Sequence, residues 1–335
     1  MIDALLKEIE IRKDYLQNES VETIYFGGGT PSLLSVREFK SIIEKLRKEF
    51  SVATDAEITI ETNPDDITEE KLLGWKDAGI NRLSIGIQSF FDEDLKWMNR
   101  AHNARQAVSS LQSAVRLFEN ITVDLIYGTP LLTDEKWKQN VDTVINLDIP
   151  HISCYALTVE PKTPLDKLIK QKRKEDIDPE KQARHFLLLM DWLNKTGYEH
   201  YEISNFAKPG MRSRHNSSYW SGKKYIGIGP SAHSYDAESR QWNIANNQTY
   251  IDWIQQEIIP FEKEILTATQ KMNEYIMTSL RTVEGLDLGK IQRRELRIQS
   301  QKYIDEGKMF EENNFLKLTR EGKLFADGIA AELFF

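Results

Sequence analysis

Cysteine is nearly absent from the sequence, since Cys154 is the one cysteine among 335 residues. An intramolecular disulfide is therefore impossible, which fits a reducing compartment. A four-iron cluster takes several thiolates from its protein, so Cys154 alone cannot hold one. The sequence also lacks an apolar run near the roughly 20 residues that cross a bilayer, and its charged N-terminus lacks the apolar region of a signal peptide. We expect a cytoplasmic protein with no membrane span.

The sequence has no long block of basic residues. Its 44 Lys and Arg residues and 52 Asp and Glu residues are interspersed, and the formal net charge is -8. A phosphate backbone attracts a concentrated positive patch, so we expect no nucleic-acid partner. The length and the 40% hydrophobic content predict a folded protein with one large domain and a smaller one.

Short apolar runs alternate with longer amphipathic stretches between residues 20 and 205. The six strand candidates are VETIYF, AEITIE, NRLSIGI, ITVDLI, HISCYAL and YEHYEIS, and the helices between them cover about 36–50, 69–78, 104–118, 134–147 and 179–196. This alternation predicts an α/β fold with consecutive βα units and a parallel sheet, which is either a barrel or an open sheet. A helix from Ile2 to Leu16 precedes the first strand. Either it caps the floor of a barrel, or the chain starts one strand late.

The rest of the sequence changes character twice. Residues 206–248 are aromatic and glycine-rich, which predicts an ordered loop or extended segment between a barrel of residues 1–205 and a C-terminal domain of residues 249–335. The C-terminal part shows three helical patterns, a hairpin turning at 312–314 and a closing helix. We expect a small winged-helix-like α+β domain that packs against the barrel.

Three glycines, Gly27 to Gly29, are followed by Thr30 and Pro31 at the end of strand VETIYF. Glycines at a strand's carboxyl end let backbone N–H groups approach a ligand closely. No Gly-Lys-Ser/Thr follows and no GxGxxG is present, so the loop is neither a P-loop nor a dinucleotide fingerprint. A ligand loop is favoured over a simple tight turn.

Polar residues also mark the next three strand ends. Glu61 ends AEITIE, Gln88 follows NRLSIGI, and Asp124 lies within ITVDLI. Sites in β/α folds are built at the carboxyl ends of strands, so we expect these side chains to surround one pocket. Each one taken alone can equally be a structural hydrogen-bonding residue.

The ordered series GGGTP, IETNPD, GIQSF, DLIYGTP and YALTVEPKTPL resembles the motifs of the HemN/HemW branch of radical S-adenosylmethionine proteins. The resemblance covers nearly the whole chain and implies a partial (β/α)6-type barrel that lacks its first strand. It implies S-adenosylmethionine as a cofactor. The residues that the resemblance assigns to this cofactor are Gly28, Gly29 and Thr30 at the methionine part, Glu61, Gln88, Arg100 and Asp124 around it, and Ala156 near the adenine.

The chemistry of these residues suits that cofactor. S-adenosylmethionine carries an ammonium, a carboxylate and a ribose diol, so its site needs acceptors and a cation. Glu61 and Asp124 are acceptors, and the planar guanidinium of Arg100 matches a carboxylate. The alternatives are a surface cation for Arg100 and a capping or core role for Asp124.

The hallmark CxxxCxxC loop of that family, which ligates a four-iron cluster, is absent from these 335 residues. Its place would be directly before Ile2. The sequence leaves open a truncation, a late start codon or a true loss. Without the cluster no electron reaches the sulfonium, so we expect this chain as written to bind the cofactor without radical catalysis.

The segment Arg214 to Trp220 contains HNxxYW, which resembles a motif of the HemW-type proteins. His215 can be an axial ligand to heme iron, while Tyr219 and Trp220 offer flat apolar surface to a porphyrin. A lone histidine is more often structural. His233, in the later GIGPSAHS stretch, is assigned no catalytic role.

The resemblance therefore implies a heme chaperone that passes heme to an unidentified acceptor protein. The alternative within the family is an oxygen-independent coproporphyrinogen III oxidase, which decarboxylates propionates. A third reading, a β/α-barrel enzyme for phosphates or sugars, leaves the ordered motif series unexplained.

Overall fold

A computed structural model describes residues 1–291 and 294–335 of the chain. Its first part alternates helices and strands. In chain order these are α1 (Ile2–Ile11), β1 (Val21–Phe26), α2 (Val36–Glu49), β2 (Val52–Thr62), α3 (Glu69–Asp77), β3 (Arg82–Gln88), α4 (Asp92–Trp97), α5 (Ala104–Ala114), β4 (Asn120–Tyr127), α6 (Asp134–Asn146), β5 (His151–Ala156), α7 (Pro164–Lys170), α8 (Pro179–Lys195), β6 (Glu199–Glu202) and β7 (Asn205–Ala207). Short 3-10 turns at Pro31–Leu33 and Pro64–Asp66 follow β1 and β2.

Seven strands form one sheet in the order β1-β2-β3-β4-β5-β7-β6. The first five are mutually parallel, as the alternation predicts, and the α/β barrel-type fold class is confirmed. Strand β7 pairs antiparallel with both β5 and β6. Strand β7 is not among the predicted strands, because the turn between β6 and β7 contains neither glycine nor proline and EHYEISNFA is one unbroken run.

The two faces of the sheet carry different side chains. Successive residues of a strand point to opposite faces, and one set, including Ile58, Ile60 and Leu83, packs with the buried Trp75 and Trp137 under the helices. The other set is largely polar and lines the inside of the barrel. Parallel strands are normally apolar on both faces, so this polar interior marks the functional side of the sheet.

Residues 206–248 hold more regular structure than the sequence analysis predicted. Arg214–Trp220 form a helix, α9, where a loop or extended segment was expected, so that prediction was wrong. Strands β8 (His233–Tyr235) and β9 (Ser239–Asn243) follow, then α10 (Asn247–Gln255) and β10 (Phe261–Ile265). These three strands form an antiparallel sheet in the order β10-β9-β8, which joins residues on both sides of position 249.

The remaining elements are α11 (Ala268–Leu280), β11 (Leu286–Asp287), a 3-10 turn at Leu288–Lys290, α12 (Arg294–Asp305), β12 (Met309–Glu312), β13 (Phe315–Leu318), a 3-10 turn at Gly322–Phe325 and α13 (Ala326–Glu332). The predicted hairpin is present, with Asn313 and Asn314 at positive φ in its turn. The helical pattern expected over 286–296 begins instead as strand and 3-10 turn, and its positions 292–293 lie outside the described residues.

The first helix is tied to the late part of the chain by a buried carboxylate. Glu8 is fully buried and accepts hydrogen bonds from Arg12 Nε at 2.9 Å, Asn243 Nδ2 at 2.8 Å and the Gly229 N–H at 2.8 Å. The Tyr250 hydroxyl donates to it as well. A buried carboxylate is stable only when its lone pairs are satisfied in this way.

Among the described residues, no helix is both long and apolar enough to span a membrane.

Candidate functional site

The glycine loop after β1 is open on its outer side. Gly28 and Gly29 have φ angles of +73° and +59°, and a Cβ added to either would meet no atom within 4 Å. The Gly28 N–H donates to Glu61 Oε2 at 3.1 Å. Thr30 follows as the residue that precedes the 3-10 turn at Pro31–Leu33. The positive φ angles and the free space together make a cradle that only glycine forms without strain.

Glu61 is also held by a residue that the sequence analysis did not select. The hydroxyl of Tyr25, on β1, donates to Glu61 Oε1 at 2.7 Å. Each carboxylate oxygen therefore has a donor, and the side chain is fixed beneath the glycine loop. Burial and the neighbouring Glu61 raise the pKa of Tyr25, so its hydroxyl remains a donor at physiological pH.

Gln88 and Arg100 meet around Gly86. A Cβ on Gly86 would lie 3.0 Å from Gln88 Nε2 and 3.4 Å from Arg100 Nη2, so this glycine makes room for both side chains. Arg100 Nη2 donates to Asn63 Oδ1 at 2.6 Å. Gln88 has φ +66°, a conformation that costs a non-glycine residue energy and recurs at functional sites.

Asp124 lies on the same inner face, one strand further along. Ser84 Oγ is 3.4 Å from its Oδ2, and Ser84 is the residue of β3 that pairs with Glu61 of β2. Burial, reinforced by the Glu61 charge, raises the pKa of Asp124 to about 7. Burial also lowers the pKa of Arg100, although the charges of Asp65 and Asp124 oppose this shift.

The structure therefore brings Glu61, Gln88, Arg100 and Asp124 to the same end of the sheet. Ala156 is exposed at the carboxyl end of β5, where it pairs with Tyr127 of β4. Six of the residues assigned to the cofactor by resemblance lie at the carboxyl ends of successive strands: Gly28, Gly29, Thr30, Glu61, Gln88 and Ala156. Asp124 lies three residues before the end of β4, and Arg100 reaches the site from the segment after α4 through Asn63 and Gly86.

His215 lies beside β1, in the first turn of α9. Its ring stacks on Tyr25 with centroids 4.5 Å apart and an interplanar angle of 13°, and Tyr219 meets it edge-on at 5.0 Å. Nδ1 is 2.9 Å from Thr23 Oγ1. Within residues 1–291 and 294–335, no hydrogen bond involves Nε2 of this histidine. In the tautomer in which Nδ1 donates to Thr23, Nε2 presents its lone pair.

Glu57 fixes the start of α9. Its carboxylate accepts the backbone N–H of His215 at 2.9 Å and that of Arg214 at 3.1 Å, and it lies 3.7 Å from Arg82 Nε. Both Glu57 and Arg82 are buried inside the barrel. Burial, together with the positive charge of Arg82, lowers the pKa of His215 to about 4. The imidazole is therefore neutral throughout the physiological range.

The two aromatic residues of HNxxYW face different neighbours. Tyr219 is 41% exposed and contacts Tyr225 edge-on at 4.8 Å, so it offers surface to a ligand. Trp220 lies under the guanidinium of Arg281 at 5.0 Å, and in the described part of the chain its Nε1 is buried without a hydrogen-bond partner. Tyr219 is thus the more accessible of the pair.

Two other candidates lie apart from these residues. Cys154 is buried in β5, and burial raises the pKa of its thiol well above the ordinary value. His233 is exposed at the start of β8, with its ring 6.2 Å from that of Trp242. Among the described residues, no group of three or more His, Cys, Asp or Glu side chains is arranged to hold a metal ion.

The polar interior carries a signal in the sequence that the analysis left unused. Polar residues recur at every second position in otherwise apolar strands, as in Glu57, Thr59 and Glu61 of β2 or Arg82 and Ser84 of β3. That period of two places them on one face. Reading it would have added Tyr25, Glu57 and Arg82 to the candidate site.

The sequence of this chain is similar to one family model and to several known proteins. The model of the radical SAM superfamily matches residues 3–144. The heme chaperone HemW of Bacillus subtilis (strain 168) is 36% identical over 269 residues, which cover 79% of this chain and 71% of that protein. The heme chaperone HemW of Escherichia coli (strain K12) is 30% identical over 344 residues, which cover 99% of this chain and 89% of that protein.

A solved structure gives the same architecture. Coproporphyrinogen III oxidase (HemN) from Escherichia coli, described as a radical SAM enzyme, superposes with a TM-score of 0.83 over 99% of this chain and 82% of that one. The sequences are 22% identical, so this likeness establishes the fold and carries no argument about activity.

Proposed function

Because the chain belongs to the radical SAM superfamily and, within it, to the family of the HemW heme chaperones, we propose that it binds heme and transfers it to an acceptor protein. The observation that carries the proposal is the environment of His215. A histidine that ligates a metal is usually neutral, and its ring nitrogen that does not bind the metal usually makes a hydrogen bond to the protein. Thr23 supplies that anchor here, and the site keeps the imidazole unprotonated.

In this proposal Nε2 of His215 ligates the heme iron and Tyr219 contacts the porphyrin face. The stacked ring of Tyr25 limits how far the imidazole can rotate, so its orientation is set before heme arrives. Apolar contact supplies much of the binding free energy of a porphyrin, and the axial bond sets the electronic state of the iron. Trp220 supports the helix through Arg281.

We further propose that S-adenosylmethionine binds at the glycine loop. The open cradle at Gly28 and Gly29 fits the methionine part, and the Nε of Arg100 is buried without a partner within the described ranges. That guanidinium would hold the carboxylate, while Glu61 would accept from the ammonium or ribose. Thr30, Gln88, Asp124 and Ala156 complete the proposed site.

The residues present do not fit a four-iron cluster. The sequence supplies one thiol, Cys154, and it is buried in the sheet with its pKa raised. A thiolate is the form that ligates iron. No step of the proposed function therefore passes through a cluster held by these residues.

The alternative within the family is an oxygen-independent coproporphyrinogen III oxidase. It rests on the likeness to HemN, which is a likeness of fold. The segment HNxxYW and the curated relatives named as heme chaperones favour the first proposal.

The test compares heme titrations of the wild-type chain, His215→Ala and His233→Ala, followed by the Soret band. His233 is the matched control, because it is an exposed histidine beside an aromatic ring and lies outside the proposed site. We expect His215→Ala to alter the spectrum strongly and to weaken binding without abolishing it, since the apolar contacts remain.

Two results would oppose the proposal. Identical spectra for wild type and His215→Ala would remove His215 as the axial ligand. The absence of saturable heme binding by the wild-type chain would remove the chaperone function itself.

A further inference from the structure

A small cavity lies in the C-terminal part of the chain, away from the glycine loop. Its lining residues Leu280 and Thr282 flank Arg281, whose guanidinium contacts Trp220 of α9. Its volume is about 140 Å³, close to the roughly 150 Å³ of an engineered apolar cavity that binds benzene. The apolar walls are formed by Leu280, Val283, Phe310 and Leu318. Leu280 and Leu318 are buried, whereas Val283 and Phe310 are 42% and 39% exposed, so the cavity opens to solvent between the latter two.

Lys323 is one of the residues that line the cavity. The backbone there is rigidly placed, because a Cβ on the preceding Gly322 would lie 1.8 Å from the carbonyl oxygen of Lys308. The Lys323 N–H also donates to the Thr319 carbonyl at 3.0 Å. The lysine therefore projects from a fixed turn rather than from a mobile loop.

The ammonium of Lys323 has a neutral partner. Its Nζ is 2.9 Å from Nδ1 of His200, and Nε2 of that ring is 3.0 Å from the carbonyl oxygen of Ile203. A carbonyl only accepts, so Nε2 carries the ring proton and Nδ1 accepts from the lysine. The imidazole is thus uncharged and forms no ion pair with the lysine.

Glu202, a carboxylate near Lys323, already has hydrogen-bond partners. Glu202 accepts from Arg281 Nη2 at 3.0 Å and from Asn205 Nδ2 at 2.5 Å. Lys317, at the rim of the cavity, is paired with Glu312 at 2.9 Å. Within residues 1–291 and 294–335, no carboxylate lies within ion-pair distance of Lys323. In the described part of the chain, Lys317 and Arg281 are each paired with a carboxylate, whereas Lys323 is in no ion pair.

We propose that the cavity binds a short aliphatic carboxylate, with the carboxylate on the Lys323 ammonium and the alkyl chain against Leu280, Val283, Phe310 and Leu318. A charge-assisted hydrogen bond would replace the missing ion pair. A cavity of similar volume binds benzene, which has six carbon atoms, so hexanoate is the appropriate probe. This site is independent of the heme and cofactor proposals.

The pH dependence follows from the groups around the amine. Burial lowers the pKa of Lys323 to about 8, although the charge of Glu202 opposes the shift. The pKa of His200 is lowered to about 3, so this ring stays neutral across the range of the test. Affinity for the carboxylate should be constant from pH 6 to 7 and should fall about tenfold for each pH unit above about 8.

The experiment measures hexanoate binding to the full chain by isothermal titration calorimetry and ligand-observed NMR. We expect Lys323→Met to weaken binding at least tenfold, and hexanol to bind at least tenfold more weakly than hexanoate. Lys302→Met is the matched control, because Lys302 is an exposed lysine of the same domain whose ammonium is paired with Glu332. It should bind hexanoate like the wild type.

A second variant guards against a folding defect in Lys323→Met. Val283→Phe is placed at the exposed mouth, where a larger side chain blocks entry without disturbing the core, and it should abolish binding while leaving the melting temperature unchanged. Equal affinity for hexanoate in wild type and Lys323→Met, or no saturable binding by wild type at pH 7, would overturn the proposal.

Discussion

The pH dependence of heme ligation tests the proposed role of His215 more sharply than the substitution His215→Ala does. An imidazole ligates iron through an unprotonated nitrogen, so the proton competes with the metal. An ordinary histidine with a pKa of about 6.5 is only about 3% neutral at pH 5. With its pKa lowered to about 4, His215 is about 90% neutral at the same pH.

The expected difference is large enough to measure. Lowering the pH from 7 to 5 should reduce the fraction of ligation-competent His215 by only about a tenth, whereas an ordinary histidine would lose competence about 25-fold. The assay is a heme titration at several pH values, in which binding is monitored through the Soret band. The same titrations of His215→Ala show the spectral changes that come from the heme itself, and these are subtracted. The histidine-dependent part of the spectrum should persist to pH 5.

The cause of the lowered pKa can be tested separately. Replacing Arg82 with Met removes the buried positive charge near His215, so the apparent midpoint of ligation should move to higher pH. A midpoint near 6.5 in the wild-type chain would refute the argument, because it would mean that the imidazole is not held neutral by its surroundings.

Three further predictions concern other parts of the chain. Glu61→Gln should weaken S-adenosylmethionine binding, measured by calorimetry, by about 1.5–3 kcal/mol because a charged acceptor is lost. The control Glu44→Gln changes an exposed glutamate and should leave this binding unchanged. Equal losses of binding in both variants would contradict the assignment of Glu61. Arg12→Met should lower the free energy of unfolding by about 3 kcal/mol, because it leaves buried Glu8 without its cation. Urea denaturation measures this free energy, with Lys13→Met, a change of an exposed lysine, as the control. A decrease below about 1 kcal/mol in Arg12→Met would refute the prediction. Anaerobic reconstitution with iron and sulfide should give no stoichiometric four-iron cluster in this 335-residue chain, and iron counting with EPR that found one would overturn the argument from Cys154.

The parallel strands and the placement of Glu61, Gln88 and Asp124 followed from local rules. Hydrophobic runs of strand length alternating with amphipathic stretches are enough to predict βα units, and the direction of a parallel strand determines which end of it faces the site. These features depend on residues that are close in sequence, so the sequence alone predicts them.

Helix α9 could not be predicted in the same way. Its sequence, RHNSSYW, is poor in strong helix formers, and the helix depends on a carboxylate 157 residues earlier in the chain, where Glu57 accepts the N–H of Arg214. The Ser213 side chain accepts from the Asn216 N–H at 3.2 Å and completes the start of the helix. For Tyr25 the period of two in β1 predicts the inner face, but its contacts with Glu61 and His215 join distant parts of the chain and are not visible locally.

The buried carboxylate of Glu8 has a consequence for the order in which the chain folds. Its partners Gly229, Asn243 and Tyr250 are more than 220 residues away, so a growing chain makes Glu8 long before it makes the groups that satisfy it. Until Tyr250 has left the ribosome, the carboxylate must remain in water and helix α1 cannot dock in its final position. The barrel strands β1 to β7 are complete by Ala207 and can pair earlier. We therefore expect the final docking of the first helix to follow the pairing of the sheet during synthesis.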